Sequence, residues 1–309
     1  MKVSAIIRIC IWSLVAILLI GLMFGVLSGK IGALRSDGNW NVGLNGHTYP
    51  NASEYVAGNA EIKDAVRAID LEWVSGTVKV VGYDGDTLRV SEQTTATDTD
   101  MQLHWRYKNE TLYIQPCASK WFFSVLSWEK KNVTVEIPYS MLSSFTSIEI
   151  ESTEASVEIS DVTTDALKVE TVGGKIDLAN ITAEVIELES VSSYLEGQAL
   201  NTSTLEAETI SGHISLEGSF RHIRTDTVSG SVALRDSIAP SSAEFDSVSG
   251  DVTLYCPLDE GFTLDFETVS GGFDCDYPIN KRGTLHICGN GKGDFDADTV
   301  SGNFYIKQP

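Results

Sequence analysis

The chain has 309 residues, 42% of them hydrophobic, which is enough apolar material for a substantial core and excludes wholesale disorder. With 43 acidic against 22 basic residues, its formal net charge is −21. That balance excludes a nucleic-acid binder, which needs clustered Lys and Arg for phosphate, and favours solubility, cations or cationic partners.

Residues 1–8 form a short N-terminal tail, followed by an uncharged apolar run from Ile9 to Leu27. Its 19 residues are about the length a helix needs to cross the hydrocarbon core. A cleaved signal peptide is the rival reading, but its apolar core is usually shorter, and no good small-x-small site follows Leu27. Lys2 and Arg8 precede the run and Lys30 and Arg35 follow it, so counting positive charges hardly decides the orientation. The short tail and large folded remainder favour a single-pass protein of the cell membrane with its bulk outside the cytoplasm. Residues 28–58, whose second half is rich in Gly, Asn and Ser, are expected to form a stalk. Cys10 lies in the apolar run, and Cys117, Cys256, Cys275 and Cys288 show neither a CxxC pair nor a His at metal-site spacing. They are expected to be structural thiols, or to form at most one disulfide.

Residues 59–148 suggest a β cap, the lid a repeat rod needs against end-to-end association. The cap holds WVSG at 73–76, five short strand patterns between Thr77 and Ile137, and a loop carrying Trp121, Phe122, Phe123 and Trp128. Those aromatics either cap the core or form a contact loop for a membrane surface or a ligand.

From 149 to 309 a phrase recurs. TVGG at 171–174, SVSS at 190–193, TISG at 209–212 and TVSG at 227–230 are followed by SVSG at 247–250 and TVSG at 268–271 and 299–302, with a degenerate STEA at 152–155. The fourth residues fall at 155, 174, 193, 212, 230, 250, 271 and 302, close to one copy per 19 residues until an insertion around Tyr277 to Gly293. Three residues before each anchor stands Ser or Thr, two after it an apolar residue, and apolar pairs lie seven and five before it. Period-two patterns on both sides of a Ser-Gly bend mean strand, turn, strand. Short strands that cannot bury their faces alone must stack, so the expected fold is all-β: a parallel β-solenoid of about 19-residue turns.

The opening IDLEWVSGTVKV, the segment SIEIESTEASVEI, the repeated TVSGxVxL units and the closing GNGKGDFDADTVSGNFYIK together resemble the bacterial putative-adhesin family of β-strand-repeat domains of unknown function. The resemblance covers residues 55–309 and implies a cell-envelope protein, often associated with envelope stress, with no catalytic residues to carry over. Ala155 and Ser193 depart from the bend glycine.

Four residues before the anchors stand Glu151, Glu170, Glu189, Glu208, Asp226, Asp246, Glu267 and Asp298, and Glu72 matches them in the cap. Parity points this column outward, beside a second column of Glu149, Glu187, Glu206, Glu244, Asp265 and Asp296 interrupted by Lys168 and Arg224. Stacked like charges destabilise a sheet, so compensation by divalent cations, a cationic peptide or a basic protein surface is one reading. A solvated anionic face that keeps the rod soluble is the other. Neither a cofactor site nor a catalytic constellation emerges. The five histidines are scattered, no G-x-S-x-G elbow occurs, and an acidic face would repel an anionic polysaccharide. The expected function is a non-catalytic, adhesin-like binding module. A structural or regulatory scaffold acting through a membrane protein is the alternative, and a polysaccharide-acting enzyme ranks third.

Overall fold

The computed structural model describes residues 48–119, 130–258 and 260–309. Among them no helix is long and apolar enough to cross a membrane. The run 9–27 and the loop of Trp121, Phe122, Phe123 and Trp128 lie outside the described residues. What is described is all-β, a single long open sheet coiled into stacked turns.

The middle of the stack is regular. Ser147–Thr171, Lys175–Ser190, Tyr194–Thr209 and His213–Thr227 pair in parallel, with Glu170 opposite Glu189 and Glu189 opposite Glu208. Alternate residues of each strand point inward, and Leu167, Ile186 and Leu205 are at most 1% exposed. These strands pass through a second corner, six residues after each anchor, which the sequence reading lacked. Asp161, Asn180 and Ala199 turn it with φ near +55°, a conformation Asp and Asn tolerate because their short polar side chains bond locally. Asn180 Nδ2 donates to Asp161 Oδ1 at 2.7 Å, turn to turn.

Every position of the repeated phrase has a physical task. The first hydroxyl is buried and accepts the anchor's backbone N–H, as in Thr209 with Gly212 at 3.0 Å and Ser190 with Ser193 at 2.9 Å. The valine N–H donates to the hydroxyl residue's carbonyl one turn back, as Val191 does to Thr171 at 3.2 Å. The serine donates twice to the preceding turn's valine carbonyl: Ser249 reaches Val228 through its N–H at 3.0 Å and its hydroxyl at 3.1 Å. At the anchor, a Cβ on Gly230 or Gly250 would collide with the carbonyl of Gly212 or Gly230 beneath it. Where the anchor does carry a Cβ, the glycine one turn back changes conformation. Gly76 beneath Ala155 and Gly174 beneath Ser193 have φ of 105° and 99°, open to glycine alone at little cost.

The ends depart from this order. Stacking in chain order would leave the last copy outermost, with the insertion around Tyr277 to Gly293 before it. Instead, Gly293–Thr299 lies between Ser242–Ser247 and Gly261–Thr268, pairing in parallel with both. The last copy in the chain is therefore second to last in space. The outermost turn is covered by the antiparallel hairpin Ile279–Arg282 and Leu285–Gly289.

The other end does the same. Ala68–Tyr83 lies between Ser147–Thr171 and an outer turn made of Thr111–Gln115 and Lys131–Pro138, and antiparallel His104–Lys108 and Leu88–Gln93 close that turn. A copy left at the very end would present a free parallel edge that templates association. A hairpin needs only a short turn to cover it.

In the N-terminal copy Trp73 takes the hydroxyl position, fully buried, with Nε1 donating to the Lys131 carbonyl at 2.9 Å. The Lys131 ammonium is itself buried, 2.5 Å from Glu92 and 2.6 Å from the Met101 carbonyl.

Candidate binding face

The parallel register brings the predicted acidic residues into one row. In space it runs Glu72, Glu151, Glu170, Glu189, Glu208, Asp226, Asp246, Asp298, Glu267. Asp298 precedes Glu267 because of the swapped last turns. Neighbours in the row are one strand spacing, roughly 4.8 Å, apart at the backbone. Beside it an outer row runs Asp70, Glu149, Lys168, Glu187, Glu206, Arg224, Glu244, Asp296, Asp265.

The inner row faces outward, as parity requires, but every one of its members is half-buried rather than exposed. A third feature, unforeseen in the sequence, contributes to this. The valines of the repeated phrase form their own row at the bend, next to the carboxylates: Val172, Val191, Ile210, Val228, Val248 and Val300, all half-buried, end in the exposed Val269. The carboxylates thus sit between an apolar ridge and a charged row.

Two built-in cations answer part of the repulsion. Lys168 Nζ lies 2.8 Å from Glu170, 2.9 Å from Glu187 and 3.5 Å from Glu189. Arg224 reaches Asp226 through Nε and Glu244 through Nη1, both at 3.1 Å. Burial pulls the Lys168 ammonium down, but its bonds to Glu170 and Glu187 outweigh that and hold it well above the usual lysine range. Burial acts upward on Glu187 too, yet its bonds to Glu189 and Lys168 keep it below the usual carboxylate range.

Four members of the inner row go the other way. Burial first, and neighbouring carboxylates second, push Glu151, Glu189 and Glu208 up to about 7 and Asp246 up to about 8. Asp226, the neighbour of both Glu208 and Asp246 in the row, adds to the rise of each. In the outer row, burial and then Asp298 raise Asp296 to about 6.

Sequence reasoning named the acids but treated Lys168 and Arg224 only as interruptions. They stand three turns apart in one column, and that spacing was a readable signal. It also missed Asp236, a second-corner residue only 3% exposed whose Oδ1 accepts from the Phe220 and Ile238 N–H groups at 3.1 and 3.0 Å. Burial pushes its carboxyl up to about 7. His286, expected among scattered histidines, is buried on the C-terminal hairpin, its ring 4.8 Å from that of Phe273. Cys117, Cys256, Cys275 and Cys288 are free thiols. Among the described residues no three His, Cys, Asp or Glu side chains converge as a metal site.

The architecture is that of an all-β solenoid with a charged, ridged face. The chain belongs to the Toastrack DUF4097 family, a family of unknown function whose model matches residues 66–307, and the resemblance carried by the repeated phrase is confirmed. No curated protein matches the chain. Among solved structures, it is similar to a putative lipid binding protein from Parabacteroides distasonis at 14% identity and a TM-score of 0.50, over 83% of this chain and 97% of that one. A putative adhesin from the same organism is 11% identical, covering 85% and 100% of the two chains with a TM-score of 0.42. A putative cell adhesion protein from Clostridium sporogenes is 10% identical, covering 82% and 100% with a TM-score of 0.30. At these identities the likeness concerns the fold alone.

Proposed function

We propose that the protein is a membrane-tethered, non-catalytic binding module of the cell envelope that engages a cationic, amphipathic partner along its acidic face. The run 9–27 is its anchor and the solenoid its exported part. The observation that carries this reading is the uninterrupted row of nine carboxylates lying in register beside a row of valines. Among the described residues, Lys168 and Arg224 act as internal counter-charges on that face.

An α-helix rises about 5.4 Å per turn, close to the roughly 4.8 Å step of the row. A basic amphipathic helix lying along the rod can therefore set one cation per turn against one carboxylate per turn, with its apolar side on the valines. Electrostatic matching of this kind governs association rate and partner choice more than contact area does. A divalent ion is the simpler occupant, and the same experiment separates the two.

The test uses the full-length protein and a designed Lys/Leu amphipathic peptide, with calcium and magnesium as separate arms at matched ionic strength. Charge reversal at three exposed outer-row positions (Glu149→Lys, Glu244→Lys and Asp296→Lys) is expected to abolish peptide binding while leaving the melting temperature within a few degrees. Peptide binding that survives the triple reversal would show that the acidic face is not the contact surface.

A further inference from the structure

The two cations of the face reach only part of the inner row. Lys168 touches Glu170 and Glu189, and Arg224 touches Asp226. Glu208 lies between these contacts, Glu151 before them and Asp246 beyond them; none has Lys or Arg within ion-pair distance among the described residues, and Arg224 acts on Glu208 and Asp246 only from farther off. Each has a carboxylate on both sides in the row. On one flank stands the valine row, which carries no charge. On the other stands the outer row, mostly acidic. Beyond the outer row the next outward column brings His222 and Asp294, two residues before Arg224 and Asp296.

Like charges one strand apart and half removed from water ionise in succession, the last of them well above the usual carboxylate range. We propose that the acidic face is a proton-gated surface, filled with protons at Glu151, Glu208 and Asp246 in mildly acidic conditions and opened to cationic partners as they ionise. This rests on the binding role proposed above and adds its regulation. The upward shifts of these three carboxyls agree with it, with burial as the leading cause and neighbouring carboxylates next.

A cationic ligand binds the ionised face better, so by linkage its binding expels protons. Lysine side chains stay charged far above neutrality, so a lysine oligomer is a probe whose own charge does not change across the window.

The experiment titrates a lysine decamer into the full-length protein in neutral detergent, at pH 6.0 and 8.5 and constant ionic strength. Buffers of different ionisation enthalpy report the protons released. Affinity is expected to be at least about tenfold higher at pH 8.5, with roughly one or two protons released per peptide near pH 7. In the triple variant Glu151→Gln, Glu208→Gln, Asp246→Asn, whose amides mimic the protonated form, the affinity change between the two pH values should be several-fold smaller than in the native protein, the remainder coming from Glu189. Equal affinity at both pH values without proton release in the native protein would overturn the gate while leaving the binding role standing. If the decamer binds at neither pH, the binding role fails, and potentiometric titration judges the gate alone. The native protein should then release about two or three more protons than the triple variant between pH 5.5 and 8.5, and no difference would overturn it.

Discussion

Between Ser147 and Thr227 each turn rests on the one before it in chain order, whereas at both ends the terminal copy is tucked one place inward and antiparallel strands take the outside. The middle has only to propagate a register, which four residues per turn accomplish. The ends have to stop it, and no residue of the repeated phrase can do that. The middle repeats one chemistry, the carboxylate rows with Lys168 and Arg224 among them, while each end carries its own. The N-terminal end holds a buried Lys131–Glu92 pair and Trp73, and the C-terminal end an aromatic stack with Phe262 and Phe295 at 5.1 Å.

The contrast can be broken most severely at an anchor. Gly250→Val in the regular stack puts a Cβ into the Gly230 carbonyl. It should cost more than about 4 kcal/mol, the exceptional range for one substitution, and be read as loss of the cooperative melting transition. At the hairpin, Gly283 has open space around it and φ of +69°, so Gly283→Ala should cost only about 1 kcal/mol.

Next in size is the N-terminal seal. Lys131→Met leaves Glu92 buried without its cation and should destabilise by about 3–5 kcal/mol in chemical denaturation. Trp73→Ala should fall in a similar range of about 3–5 kcal/mol, because it removes a buried aromatic and strands the Lys131 carbonyl.

A smaller effect, of opposite sign, separates the acidic face from both ends. Glu208 has a folded-state value raised to about 7, so the folded protein holds a proton there that the unfolded chain has already lost. The stability this contributes is complete below the unfolded carboxylate value near 4.3 and is lost as pH rises through 7. Glu208→Gln should therefore raise the melting temperature at pH 8.5, by an amount equivalent to about 1 kcal/mol, and change it little at pH 4. A variant less stable than the native chain at pH 8.5 would contradict the assignment. Smallest of all is Ser229→Ala, which removes one exposed hydroxyl bond to the Ile210 carbonyl and should cost no more than about 0.5 kcal/mol in the same assay.

Much of the middle was legible because its signals are periodic. The hydroxyl, the bend glycine and the inward apolar pairs repeat at nearly constant spacing, and the in-register carboxylate row follows from that spacing alone. The second corner was not legible, since Asp161, Asn180 and Ala199 share a backbone conformation and not a side-chain type. Nor was the exchange of the last two turns: both carry TVSG, and only pairing in space decides which lies outside. On the face itself, charge and direction could be counted from sequence, but half-burial could not. It depends on the valine row and the outer row standing on either side of the same carboxylates.

The claim at the centre of this account is that the row holds protons near neutral pH because its members are stacked and half-buried. Carboxyl-carbon NMR titration of the full-length protein, labelled at Asp and Glu, tests it most directly, with Glu151→Gln, Glu208→Gln and Asp246→Asn assigning the signals. At least three carboxyl midpoints should fall between about pH 6 and 8, each vanishing in its own variant. If every Asp and Glu of the row titrated below about pH 5, the carboxylates would be ordinary solvated charges and the account would be contradicted.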